Sequence, residues 1–149
     1  MRFPKLRQVA KCVVGVLILI SYPVVENLRE ANRHGQEASA IGTLREIGTA
    51  QSHFRESRSD ELRYGSLSEL VEAGLLDESL REGTRSGYRF EVHPSPTTPE
   101  FLWCASATPL DPSAEQRHFG TNHAGVTGYS LEGSPVTRGC ELDPSAHVT

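Results

Sequence analysis

The chain has 149 residues and a formal net charge of −4, from 15 basic and 19 acidic side chains, and 37% of it is apolar. That length allows one domain of ordinary size, and the apolar content is low for a globular chain. The only basic block is the head Arg2, Lys5, Arg7 and Lys11, so nucleic acid is not an expected partner.

An apolar run from Cys12 to Val25 follows that basic head. Its strongest part, Cys12 to Tyr22, has the length of a signal-peptide core rather than of a full span, which takes about 20 residues. No small-x-small cleavage site follows it: Ser21-Tyr22-Pro23 and Val24-Val25-Glu26 are both too bulky. Counted from Val9, with Lys11 reaching towards the inner interface, the run reads as an uncleaved single-pass anchor with its positive end inside. On that reading residues 1–25 form a membrane anchor segment and residues 26–149 a helix with a globular head. Val13, Val14, Val16, Leu17, Ile18, Leu19 and Ile20 would contact the membrane or a bundle of like helices.

Residues 26–57 predict a helix, since Ala38, Ile41, Leu44, Ile47 and Phe54 recur at spacings of three and four. Gln51 falls on the same stripe, and Arg29, Glu30, Arg33, Glu37, Arg45, Glu46, Arg55 and Glu56 occupy the other faces. Ile41, Leu44, Ile47 and Phe54 are the expected helix–sheet core. Pro23 lies where a kink or loosening is expected.

Ser57 to Gly65 is polar and reads as a loop. Ser66 to Gly74 predicts a short helix, with Ser66 as N-cap, Glu69 three residues on, and Gly74 as the stop. Tyr88 to Val92 alternates as a half-exposed strand does. Pro94, Pro96 and Pro99 make a loop, and Phe101 to Thr108 a second strand. Arg117 to Thr121 and Val126 to Ser130 read as a hairpin. The tail from Leu131 is irregular. The expected fold class is α+β: one long helix packed on an antiparallel sheet of three to four strands.

Of the three cysteines, Cys12 sits in the apolar run, and Cys104 and Cys140 lie in the head. In an oxidising compartment a Cys104–Cys140 bridge is the natural pairing, and two unrelated buried thiols are the alternative. The loop closed by such a bridge, roughly 37 residues, is worth about 3–4 kcal/mol in the chain-entropy model.

The segment Glu37-Ala38-Ser39-Ala40-Ile41-Gly42-Thr43-Leu44-Arg45-Glu46-Ile47-Gly48-Thr49-Ala50-Gln51 resembles the helix of bacterial type IV pilin-like proteins and type II secretion pseudopilins. Asn27-Leu28 falls at the spacing where one subgroup of that family carries the same pair. Tyr64 to Leu70, Ala73 to Asp77, Gly83 to Phe90, Ala107-Thr108-Pro109 and the final hairpin resemble it in the same order. The resemblance covers residues 26 to about 130 and rests on the ordered set rather than on one motif. It implies a structural subunit of an envelope filament or secretion apparatus, with the head in the periplasm or at the cell surface and other pilin-like subunits as partners. The chain departs from the family at its start. The Gly-Phe that prepilin peptidase recognises is missing, and no acidic residue precedes Glu26. That departure favours a rival class, an anchored binding module with a pilin-like head that does not polymerise.

No enzyme is expected, with no catalytic residue and no cofactor. Metal binding is not expected either. His34, His53, His93, His118, His123 and His147 lack Cys-x-x-Cys or His-x-x-x-His company. His118 and His123 bracket the expected hairpin turn, where they would face each other. Ser130 or Ser106 with a histidine and Asp111 makes a triad by residue type alone, without a Gly-x-Ser-x-Gly elbow. Gly120, Gly125 and Gly128 sit at hairpin spacing rather than in a phosphate loop.

Overall fold

A computed structural model describes residues 5–58, 61–112, 116–136 and 139–148, with side chains described from Glu26 onward. Helix α1 runs from Lys5 to Ser57 and is continuous in secondary structure across Pro23. The chain divides into two compact units, residues 1–35 and 36–149.

In the first unit, the side chains from Glu26 to Gly35 are exposed apart from a half-buried Arg33. Glu30 lies 3.9 Å from Arg33 and 3.8 Å from His34. Val13, Val14, Val16, Leu17, Ile18, Leu19 and Ile20 fall outside the residues whose side chains are described. Among the described residues no helix is long and apolar enough to cross a membrane. This overturns the single-pass anchor and the inner-membrane placement built on it. The physical reason is length: the strongest run, Cys12 to Tyr22, is roughly half a span and is closed by Lys11 and by Pro23 and Glu26.

The second unit holds the rest of the fold. Helix α2, Leu67–Glu72, starts from a complete capping box. The Ser66 hydroxyl accepts from the Glu69 N–H, and the Glu69 carboxylate accepts from the Ser66 N–H. A 3₁₀ turn, Glu78–Leu80, follows, capped by Asp77. The strands are β1 Thr84–Arg85, β2 Tyr88–Pro94, β3 Trp103–Pro109, β4 His118–Asn122, β5 Thr127–Ser130 and β6 His147–Val148. They form one antiparallel sheet in sequence order. The expected three to four strands are therefore six. The two additions, β1 and β6, are two residues long, too short for an alternation pattern to register.

The register divides the sheet into two unlike faces. Phe90 pairs with Ala107, Ala107 with Phe119, and Phe119 with Tyr129, so these residues share one face with Tyr88, Val92, Trp103 and Ala105. That inner face packs against α1. Leu44, Ile47 and Phe54 are at most 1% exposed, Ala40 and Ala50 are buried beside them, and Ile41 is half-buried. Gln51 is buried with them and is satisfied by one backbone unit: its amide donates to the Gly65 carbonyl at 2.6 Å and accepts from the Gly65 N–H at 2.9 Å. Leu70, Val71, Leu76 and Leu80 complete the same core.

Candidate interaction surface

The outer face of the sheet presents Arg89, Glu91 and His93 from β2, all exposed, and Cys104 and Ser106 from β3, both buried. From β4 and β5 it presents Gly120 and Gly128, which pair directly with each other. Two adjacent strands thus offer bare backbone at one spot, and the C-terminal segment fills it. A β-carbon on Gly120 would lie 2.9 Å from Val136 and 3.0 Å from Pro135, and one on Gly128 would lie 3.0 Å from Leu142. Pro135, Val136, Leu142 and Ala146 therefore lie directly on the sheet as a strap, which only a residue without a side chain permits. Within the strap, Val136 and Leu142 form an isolated antiparallel bridge, and the Asp143 N–H donates to the Pro135 carbonyl at 2.8 Å.

Cys104 and Cys140 are joined in a disulfide, with Cα atoms 5.0 Å apart. It ties the strap to β3 at the point where Cys104 faces His93 across the ladder. Both sulfurs lie within 4 Å of the His93 carbonyl oxygen, at 3.8 and 3.6 Å. After the strap the chain turns at Asp143–Ala146 and enters β6, which pairs with Gly128 and Tyr129 of β5. The His147 ring stacks on Tyr129 at 5.1 Å.

Beside the strap runs an open groove of about 580 Å³, lined by Glu91, His93, Pro94, Ser106, Ser134 and Val136, with Cys104 on its wall. A second groove of about 580 Å³ lies between α1 and the β4–β5 turn, bordered by Gly48, Ser52, Tyr64, Trp103, His123 and Thr127.

A polar clamp closes the start of the unit. Gln116 donates to Gln36, the Arg117 N–H donates to the Glu37 carboxylate at 3.3 Å, and the Tyr88 hydroxyl donates to the Arg117 carbonyl at 3.0 Å. Burial, with the Glu37 charge second, pushes the Tyr88 hydroxyl well above its ordinary pKa, so Tyr88 stays a neutral donor.

The sequence-selected histidines do not converge. His118 pairs with Ser130 at the far end of the β4–β5 ladder, and His123 sits in the turn at the other end. The two do not bracket the turn, because β4 begins at His118 and runs on to Asn122. Burial pulls His118 below its ordinary pKa. Ser130 lies opposite His118, but its hydroxyl accepts from the Glu132 N–H and donates to the Glu132 carbonyl. Ser106 pairs with Gly120 two positions further along the ladder. Among the described residues no three His, Cys, Asp or Glu side chains are grouped to hold a metal ion.

No family model, curated protein or solved structure matches the chain. The strap and its glycine floor were missed in sequence. The available signal was the pair Gly120 and Gly128, two glycines on the same face of consecutive strands, upstream of an apolar and proline-bearing tail.

Proposed function

We propose that the chain is a pilin-like structural subunit that assembles through helix α1. One observation carries this reading. Among the described residues, the six strands and both short helical elements belong to residues 36–149, while α1 continues through residues 5–35 with an apolar run in its sequence and with side chains from Glu26 to Gly35 that are exposed apart from a half-buried Arg33. An apolar helical stretch outside the unit that contains the sheet is stabilised by packing on like helices, because that removes its surface from water. The ordered resemblance of residues 26–130 to the pilin-like family points the same way. The span across a membrane is not part of the proposal.

The test is chemical cross-linking of the full chain, alone and with Ile18→Asp and Leu19→Asp together. The expected result is a ladder of oligomers that collapses to a single band in the double variant. A ladder of equal strength in the double variant overturns assembly through α1. The missing Gly-Phe and the lack of any acidic residue before Glu26 favour a second reading, a non-polymerising binding module with a pilin-like head. A lone band from the unaltered chain would select it.

A further inference from the structure

The wall that α1 gives to the groove at the β4–β5 turn is made of small and polar residues. Arg45, Gly48, Thr49 and Ser52 share one side of the helix, because they lie three, four and seven positions apart. Gly48 stands in the helix interior, where glycine is less favourable than alanine. Packing does not demand it: a β-carbon there would meet the Trp103 ring at 3.7 and 3.9 Å, which is ordinary van der Waals contact. Glycine at this point leaves the edge of an otherwise buried Trp103 without a helical side chain over it. That edge lines the groove together with Tyr64, whose ring centroid is 6.1 Å from that of Trp103.

The hydroxyls around the groove share one state. Thr49 donates to the Arg45 carbonyl at 3.1 Å, Ser52 to the Gly48 carbonyl at 3.3 Å and Thr121 to the Val126 carbonyl at 3.1 Å. Each hydroxyl proton is committed, so each oxygen has only acceptor lone pairs left for a ligand. A matching ligand therefore brings hydrogen-bond donors. Arg45 adds a positive charge. The residues three and four positions from it, Ile41, Gly42, Gly48 and Thr49, include no acid, whereas the adjacent Glu46 is engaged by Arg85 at 2.9 Å. No Asp or Glu is found among the described residues that line the groove, in a chain whose net charge is −4. An anion is complementary to this wall.

We propose that the groove binds an acidic sugar, a uronate unit of a polysaccharide. Its carboxylate pairs with Arg45, its hydroxyls donate to Thr49 and Ser52, and the C–H face of its ring lies against Tyr64 and the uncovered edge of Trp103. The three requirements together select the class. A hydrocarbon has no donors for the hydroxyl oxygens, an inorganic anion has no apolar face for the rings, and a neutral sugar has no charge for Arg45. An acidic peptide carries its charge, but its donors lie on the backbone rather than around the charged group. The site belongs wholly to residues 44–148 and does not depend on assembly through α1.

Trp103 is the only tryptophan of the chain, so its fluorescence reports on the groove directly. The experiment titrates the full chain with trigalacturonate, with galactotriose as the neutral match and triglutamate as the acidic peptide. Trigalacturonate should give a saturable change, at an affinity at least about tenfold above the other two, and Arg45→Gln should remove about that factor. The same variant controls for anions held elsewhere, at Arg2, Lys5, Arg7 and Lys11. Gly48→Ala should weaken trigalacturonate while leaving the thermal unfolding temperature unchanged or raised. No saturable change, or equal affinity in Arg45→Gln, overturns the site. Equal affinity for galactotriose overturns the role of the charge, and equal affinity for triglutamate overturns the sugar in favour of an acidic peptide. Unchanged binding in Gly48→Ala overturns the role of the uncovered ring. A lower unfolding temperature in that variant overturns it too, because the glycine would then serve packing.

Discussion

The two faces of the sheet solve the same burial problem by opposite means. The inner face meets α1 with large side chains: Tyr88, Phe90, Val92, Trp103 and Phe119 are buried there and touch one continuous core. Among the described residues, the outer face meets no helix. Where the strap crosses it, the residues shrink to Cys104, Ser106, Gly120 and Gly128, and where nothing crosses it, they become Arg89, Glu91 and His93. A helix stands about 10 Å from a sheet and needs long side chains to fill the gap, whereas a strap lies on the backbone itself and tolerates none. Outward-facing glycines in adjacent strands therefore report a covered face just as an apolar alternation does, but with the opposite residue type.

The comparison breaks most completely from the inner side. Leu44→Asp places a carboxylate in the centre of the helix–sheet layer and should cost more than about 4 kcal/mol, enough to unfold the head. Thermal denaturation followed by circular dichroism checks this, and a cooperative, unshifted transition would refute the helix-on-sheet core. From the outer side the effect is smaller. Gly120→Val drives branched methyls into Pro135 and Val136 and should cost about 2 kcal/mol by overpacking. Arg89→Ala, on the uncovered part of the same face, should stay within about 0.5 kcal/mol. Equal losses for these two in urea denaturation would mean that the strap does not rest on the sheet as described.

The alternation in Tyr88 to Val92 and the three- and four-residue spacing of Leu44, Ile47 and Phe54 were legible because burial on one side imposes a period on the sequence. The capping box at Ser66 and Glu69 was legible because it is a local exchange of hydrogen bonds. The strap was not. Its contacts join Gly120 and Gly128 to residues many positions away, and no period connects them. The extra strands β1 and β6 escaped because two residues carry no alternation. The transmembrane reading failed for a different reason: counting the run from Val9 to Val25, with Lys11 reaching towards the interface, stretched an apolar segment whose strongest part, Cys12 to Tyr22, is too short for a span.

A further effect, smaller than that of Gly120→Val, lies outside both faces, at α2. The Arg63 guanidinium, hydrogen-bonded to Glu69 at 2.6 and 3.1 Å, holds its carboxyl at about 2, aided by the Ser66 N–H and hydroxyl. The pKa is depressed in the folded chain, so the contribution is present above the ordinary glutamate value of about 4.3 and is lost as the pH falls from there towards 2. Arg63 and Glu69 are each 31% exposed, so solvent screening limits the effect to about 1 kcal/mol. Glu69→Gln should therefore lower stability by about that amount at pH 7 and by almost nothing near pH 2. Denaturant melts at the two pH values measure it, and a difference that grows on acidification would reverse the sign assigned to the ion pair.

The strand order has a consequence for how the chain reaches this state. Because β1 to β6 pair strictly with their sequence neighbours, each ladder of the meander forms by closing only the connection between its own two strands. Contacts of that kind are near in sequence and quick to find. The connections up to β5 are short, but β5 ends at Ser130 and β6 begins at His147. The loop-closure entropy of docking the last strand is thus the largest in the sheet. The sheet can zip up in order from β1, with its final strand arriving last, after the surface that receives it already exists.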